Sequence, residues 1–257
     1  MIDGQDYISR ITAISMQTDL ALKALNGFLG SQEAIDSYLQ EELETTRKFT
    51  EEAAKSANFD PKEHWAFSDE GSEKYINGIK ETLPNRLEEV INRINQNKLL
   101  LLVTVFESFM KDIHREILKA NPKALKADRQ IPLGKIVTTP LEELLEEEIE
   151  REVQSLDRKT IEQKCEYFDK RLNIDWFGGT IIPLMKPVLE LRNKIIHEDP
   201  DIVISSNDLN LAHLVTFSLP IACVMQAAVL YPDAFKWGDH KLDGMKEIME
   251  QQGRIKT

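Results

Sequence analysis

The stretch that decides the fold lies at residues 102–112 and reads Leu-Val-Thr-Val-Phe-Glu-Ser-Phe-Met-Lys-Asp. It belongs to a longer pattern, residues 84–120, whose apolar side chains recur every three or four positions: Leu99, Leu102, Phe106, Phe109, Ile113 and Ile117. That spacing is typical of one face of an α-helix. Because residues 100–103 are also apolar, we expect other elements to surround the middle of this helix. Pro84 is expected in its first turn, where a missing N–H costs little.

A second informative stretch is Leu191-Arg192-Asn193-Lys194-Ile195-Ile196-His197-Glu198, which ends an apolar helical pattern at residues 182–196. The residue before a proline avoids the α region, so Pro200 predicts the end of this helix. Asn193 and His197 are four apart and share a face. Arg192 and His197 lie about 140° apart on an ideal helix, and we expect them to converge because arginine is long and His197 lies at a fraying end. The alternative is structural: His197 caps a core helix, and Arg192 forms a salt bridge.

Glu107 lies on a second stripe of the long helix, with Val103, Met110 and His114. A carboxylate at the margin of a buried face needs a cationic partner. We therefore predict that Glu107 pairs with Arg192. The alternative is an exposed Glu107 without a partner.

Both stretches resemble the HEPN family (higher eukaryotes and prokaryotes nucleotide-binding domains). The signature of that family is an arginine, four to six residues and a histidine, often with a polar residue after the arginine; Arg192, Asn193 and His197 match it. Residues 102–112 are similar to the family's first core helix, and the resemblance covers about residues 85–230. It implies an all-α, up-and-down helical bundle. The family variant with a tyrosine two positions after the histidine is absent, since Asp199 stands there.

The resemblance implies a metal-independent endoribonuclease. A base takes the proton of the 2′-OH, whose oxygen attacks the adjacent phosphorus, leaving a 2′,3′-cyclic phosphate and a 5′-OH. His197 would be the general base or acid and Arg192 the phosphate clamp. Asn193 would orient His197 or the phosphate, and Glu107 would hold Arg192. HEPN ribonucleases typically form dimers in which two motifs face one cleft, so a homodimer through the motif helix is expected.

The family also implies a biological setting, a bacterial toxin or antiphage defence system, with an antitoxin or regulatory protein as a possible partner. Two alternatives stay open. In the first alternative, the chain is a non-catalytic HEPN-like module that binds a partner protein or a nucleotide. In the second, it is a plain helical scaffold in which the motif is accidental.

Charge limits how RNA is bound. The 257-residue chain has a net charge of −12, so it has no global attraction to nucleic acid. RNA would need a local basic patch, and residues 111–135 are locally basic. The candidate RNA-binding residues are Lys111, Arg115, Lys119 and Lys194; an ordinary solvated face is the alternative.

Other chemistries lack their signatures. The chain has no phosphate-binding loop, dinucleotide fingerprint, zinc-protease motif or hydrolase elbow, and its five histidines are scattered. We expect no metal and no cofactor, and interpret the acidic run at residues 142–150 as a solvated face. Cys165 and Cys223 are expected to be buried in a reducing compartment. Since the first residues do not form a targeting signal, a cytoplasmic location is expected.

The predicted organisation has three segments. Residues 1–72 form a helical hairpin, with helices at about 5–28 and 31–54, and a loop in which Trp65 packs onto the bundle. Residues 73–232 form the HEPN-like bundle, and residues 233–257 a tail with a short helix at about 242–251. The apolar run at residues 211–230 is long enough to span a membrane, but its polar residues favour a buried central helix.

Overall fold

The computed structural model describes residues 2–57, 60, 69–125, 130–176, 178–199, 201–237 and 242–255. It is all-α, which confirms the predicted fold class. The described α-helices are α1 (Gly4–Leu29), α2 (Gln32–Ala57), α3 (Asp69–Ala120), α4 (Leu133–Thr138), α5 (Leu141–Asp157), α6 (Ile161–Leu172), α7 (Gly178–Asn193), α8 (Ser206–Leu230) and α9 (Asp243–Gln251). A π turn (Lys194–Glu198) follows α7, a 3₁₀ turn (Pro122–Ala124) follows α3, and the two short strands are β1 (Ile2–Asp3) and β2 (Phe235–Lys236).

Contacts divide the chain into two compact units. Unit 1 comprises Met1–Ser15 and Gln96–Thr257, and unit 2 comprises Met16–Asn95. This grouping differs from the three segments expected from the sequence, because α1 and α3 continue through the boundaries and the C-terminal residues pack within unit 1.

Helix α3 supplies the centre of unit 1. Its stripe is buried at Leu99, Leu102, Ile113 and Ile117, each with no exposed surface. Leu101, however, is 50% exposed, so the expectation that other elements surround this part of the helix is wrong. A helix that carries four consecutive leucines still turns one of them away from a one-sided core.

Helix α8 lies in the same core and begins with a capping box formed by Ser205 and Asp208. Among the described helices, α8 is the one that is long and apolar enough to cross a membrane. Half of its most apolar stretch is buried inside the protein. The amide of Gln226 bonds both the N–H and the carbonyl of Asp175, at 2.8 and 2.9 Å. These contacts place α8 in the core of unit 1, which agrees with the expected buried central helix.

The N-terminal residues of unit 1 pack against its C-terminal part. β1 and β2 form a parallel pair in which Ile2 faces Phe235. The Tyr7 ring stacks on Phe109 with centroids 4.2 Å apart, and its buried hydroxyl donates to the carbonyl of Thr216. The strand pair was not foreseen, because two residues carry no periodic signal.

Unit 2 contains the predicted helical hairpin, formed by the greater part of α1 and by α2. The first part of α3 packs along α2: Arg47 donates to Ser72 at 2.8 Å, and Lys80 lies 2.8 Å from Asp36. Pro84 is therefore inside α3 rather than in its first turn. Packing along α2 stabilises the segment before Pro84, although an interior proline costs roughly 3 kcal/mol. Trp65 lies outside the described residues.

Candidate functional site

The motif helix ends in a π turn. Helix α7 starts at Gly178, earlier than expected, so both Pro183 and Pro187 lie inside it. After Asn193 the N–H of Asp199 bonds the carbonyl of Lys194 at 2.8 Å, one residue further than an α-helical bond. Each residue of a π turn advances less around the axis. The angle between Arg192 and His197 around the helix axis is therefore smaller than on an ideal α-helix. The cause is a hydrogen-bonded π turn, whereas the sequence analysis expected fraying of the helix end.

Arg192 is held by two neighbours. Its Nη2 lies 3.8 Å from Oε2 of Glu107, and its Nη1 donates to Oδ1 of Asn193 at 2.9 Å. The side chains of Arg192 and Glu107 are 32% and 30% exposed. The predicted pairing of Glu107 with Arg192 is confirmed, and an unpaired Glu107 is excluded. The salt bridge also fits the structural alternative for the motif, so it does not by itself identify a function.

His197 lies on the surface. Its side chain is exposed, and it makes no hydrogen bond or ion pair with another described residue. Lys194 and Ile196, from the same turn, are exposed as well. Pro200, the predicted stop, lies outside the described residues. The imidazole of His197 is therefore open to a ligand or to a partner.

A cleft of about 400 Å³ lies within unit 1 beside Arg192. Arg192, Asn193 and Glu107 line it, whereas His197 does not. Its wall is formed by side chains of α3, the C-terminal end of α5, the start of α6, Trp176 and α7. The structure thus brings three of the four predicted catalytic residues together at one cleft, and leaves His197 on the adjoining turn.

The charged side of the cleft is mainly cationic. Five basic side chains line it against the two carboxylates Glu107 and Asp157; the basic residues are Lys111, Arg158, Lys159, Lys164 and Arg192. Asp157 lies 2.9 Å from Lys111 and 3.9 Å from Lys164. Burial lowers the pKa of Lys164, and Asp157 opposes that shift. An excess of cations in a chain of charge −12 makes this cleft suited to an anion.

His114 is a cleft residue that the sequence analysis did not include in the site. It is 2% exposed, and its Nε2 lies 3.2 Å from the hydroxyl of Tyr167. Burial, with a smaller contribution from Arg115, lowers the pKa of His114 to about 3. The imidazole is therefore neutral at neutral pH. His114 lies on the same face of α3 as Glu107 and Met110, and this spacing could have identified it as a residue of the site.

The four predicted RNA-binding residues differ in their surroundings. Lys111 lines the cleft and Lys194 is exposed. Arg115 pairs with Glu150 and with Asp112, and Lys119 lies 3.5 Å from Glu146. Most carboxylates of the acidic run of α5 are exposed, as expected for a solvated face, and Glu146 and Glu150 also pair with cations of α3. The role of all four residues in RNA binding stays a prediction.

The cysteines and the possible metal ligands also bear on the chemistry of this protein. Both cysteines are buried and free, as expected, and burial raises the pKa of Cys165 to about 11. Among the described residues, no group of three or more His, Cys, Asp or Glu side chains could hold a metal ion.

No protein-family model, curated protein or solved structure matches this chain. The resemblance to the HEPN family therefore rests on the residues quoted above and stays a prediction.

Proposed function

We propose that the protein is a metal-independent endoribonuclease of HEPN type, which cleaves RNA through 2′-OH attack and leaves a 2′,3′-cyclic phosphate. One observation carries this proposal: Glu107 and Asn193 hold Arg192 at a cationic cleft, with an exposed histidine one turn further along the chain. An arginine fixed in this way can bind a phosphate and offset the charge that develops on it.

His197 would transfer the proton. Its exposed side chain has no hydrogen-bond partner among the described residues, so its ring nitrogens are free to meet a ribose hydroxyl. A histidine can act as a base or an acid near neutral pH. Glu107 would be a positioning residue, because it contacts Arg192 rather than the RNA.

The reaction needs both an acid and a base, and each chain supplies one His197. We propose that two copies associate through the motif helix, so that the second motif supplies the other group. Ile196 and Val203, on either side of His197 along the chain, are 47% and 77% exposed, and apolar side chains of this kind suit such an interface. A cytoplasmic protein of a toxin or antiphage system, controlled by an antitoxin or regulatory protein, is the setting that the family resemblance implies.

The second candidate is a non-catalytic module that binds a nucleotide. The cleft favours it, because its volume falls within the range of small-molecule sites, and His197 does not line it. In this case Arg192 would bind a phosphate without any bond being broken.

Incubation of the purified protein with total RNA and excess EDTA distinguishes the two candidates. We expect cleavage by the wild type, with 2′,3′-cyclic phosphate ends, and none by His197→Ala. Glu198→Gln is the matched control, because Glu198 is an exposed neighbour in the same turn. Cleavage that persists in His197→Ala, or a folded wild-type protein that cuts nothing, would overturn the ribonuclease.

A further inference from the structure

Helix α4 keeps its apolar side chains in solvent. None of its residues is buried, and Leu133, Ile136 and Val137 are 76%, 50% and 77% exposed. Because they are three and four residues apart, they share one face of the helix. Leu141, the first residue of α5, follows the end of α4 closely and is 80% exposed. We call these four side chains the α4 surface.

The polar side of α4 contacts the rest of unit 1 instead. Lys135 is two residues from both Leu133 and Val137, which is about 200° around the helix axis, and it pairs with Glu147 of α5. A surface helix of a globular protein normally turns its apolar face to the core and its charged face to solvent. Helix α4 does the reverse. Neighbouring apolar side chains that stay in solvent mark a site of interaction with another molecule.

Carboxylates border the α4 surface. Glu142 and Glu143 follow Leu141 directly. Both are exposed, and neither forms a hydrogen bond or an ion pair with another described residue. Glu146 and Glu147, one turn further along α5, are exposed as well. A molecule that contacts Leu141 therefore meets negative charge beside the apolar side chains.

This combination of apolar surface and charge selects the kind of partner. A second copy would bring like charges together, because each chain already carries a net charge of −12. RNA and anionic membranes would be repelled by the same carboxylates. A protein helix that carries apolar side chains on one face and lysines or arginines beside them meets neither penalty, and helices of this kind bind to apolar surfaces of other proteins.

From this arrangement we propose that the α4 surface is a docking site for a basic amphipathic helix of another protein. The apolar face of that helix packs on Leu133, Val137 and their two neighbours in the α4 surface. Its basic side chains pair with Glu142 and Glu143. The inference goes beyond the proposed function and does not rest on it, because none of these residues lines the cleft beside Arg192.

Fluorescence titration of the full-length protein with labelled synthetic peptides tests the site. The first peptide is a helix of about 18 residues, or five turns, with leucines on one face and lysines on the other. The second peptide has serine in place of every leucine and keeps the charge, and the third has glutamate in place of every lysine. We expect saturable binding of the first peptide alone. Absence of that binding, or equal binding of the second peptide, would overturn the docking site.

A double variant of α4 separates apolar contact from general attraction between opposite charges. Leu133→Asp/Val137→Asp should weaken binding of the first peptide at least tenfold, because two apolar contacts are lost. The two added carboxylates would strengthen a purely electrostatic attraction to the lysines, so unchanged or tighter binding would contradict the proposal. Both positions are exposed, and the variant should therefore unfold in urea as the wild type does.

The contribution of the bordering carboxylates has a matched control. Glu142→Gln/Glu143→Gln should weaken binding of the first peptide about fivefold, since two exposed ion pairs are lost. Glu88→Gln/Glu89→Gln removes the same charge from exposed positions of α3 and should leave binding unchanged. Equal weakening in both double variants would show that the peptide senses only the net charge.

Sedimentation distinguishes a basic partner from a second copy. Leu133→Asp/Val137→Asp should keep the oligomeric state of the wild type, and a smaller species would assign the α4 surface to self-association and overturn the proposal. The same variant should cleave RNA at the wild-type rate if the ribonuclease is correct. Peptide binding without any RNA cleavage would overturn the ribonuclease and support the docking site, so the two proposals fail separately.

Discussion

Nη2 of Arg192 lies 3.8 Å from Oε2 of Glu107, across the cleft side of α3 and α7. The separation is that of an ion pair rather than of a direct hydrogen bond. Each side chain keeps about a third of its surface exposed, so Arg192 is oriented yet still accessible to an anion. Glu107 is thus placed to fix the direction of the guanidinium without neutralising it in a closed contact.

Replacement of this carboxylate should separate positioning from stability. For Glu107→Gln we expect the free energy of unfolding to change by no more than about 1 kcal/mol, because ion pairs that keep this much contact with solvent contribute little. We expect RNA cleavage to slow, and the change in kcat to be larger than the change in KM, because Arg192 loses its orientation. Urea unfolding and single-turnover cleavage measure the two effects. Equal kcat in Glu107→Gln and wild type would contradict the positioning role.

Association through the motif helix can be tested at the exposed apolar residues beside His197. The double variant Ile196→Asp/Val203→Asp should remain folded, yet sediment as a monomer and lose RNA cleavage. Leu133→Asp is a suitable control, because Leu133 of α4 is 76% exposed and lies elsewhere on the chain. A variant that is monomeric but fully active would show that one motif suffices.

His114 should make stability depend on pH. Burial lowers its pKa to about 3, below the value of about 6.5 expected in the unfolded chain. The unfolded state therefore binds the proton more readily, and the contribution of His114 is complete above pH 6.5. It is lost as the pH falls from about 6.5 to about 3, by at most about 1.4 kcal/mol for each pH unit.

Urea unfolding at pH 7.5 and 5.0 measures this contribution. His114→Gln, which can still hydrogen-bond to Tyr167 but does not titrate, should show a smaller loss of stability between the two pH values. His197→Ala is the control and should keep the wild-type difference, since His197 is exposed. An unchanged difference in His114→Gln would assign the pH dependence to other groups.

The two basic residues Lys111 and Arg115 should behave differently. Lys111→Ala should weaken RNA binding and reduce its salt dependence, because a cation is lost from the cleft. Arg115→Ala should leave RNA binding nearly unchanged but lower the free energy of unfolding by about 1 kcal/mol, since Arg115 pairs with Glu150 of α5. Fluorescence titration of labelled RNA at several salt concentrations gives the first effect. A similar loss of affinity in both variants would show that Arg115 contributes to RNA binding as Lys111 does.

Much of the fold follows from the sequence, because long amphipathic helices carry a strong periodic signal. The hairpin of α1 and α2, the buried α8 and the stripe of α3 were all predictable. The start of α3 was not, because Pro84 resembles a first-turn residue and the packing along α2 has no local signature. The pairing of Arg115 with Glu150 was also hidden, since sequence alone does not give the neighbour of a charged face.

The candidate site was predictable only in part. The charge requirement of Glu107 led to Arg192, which the structure confirms. The π turn and the cleft were not predictable, since the first depends on a local shift of backbone hydrogen bonding and the second on how four helices meet. Trp176 follows α6 in a segment that reads as a loop, and only tertiary packing places it beside Phe168.

The hydrogen bond of Tyr7 to Thr216 and the pairing of β1 with β2 have a consequence for the order in which the chain folds. Tyr7 lies 209 positions from its partner Thr216 in the sequence, and Ile2 lies still further from Phe235. Contacts that are distant in the sequence form slowly, and domains fold as they emerge. We therefore expect the contacts within unit 2, whose residues are contiguous, to form before those of Tyr7 and Ile2.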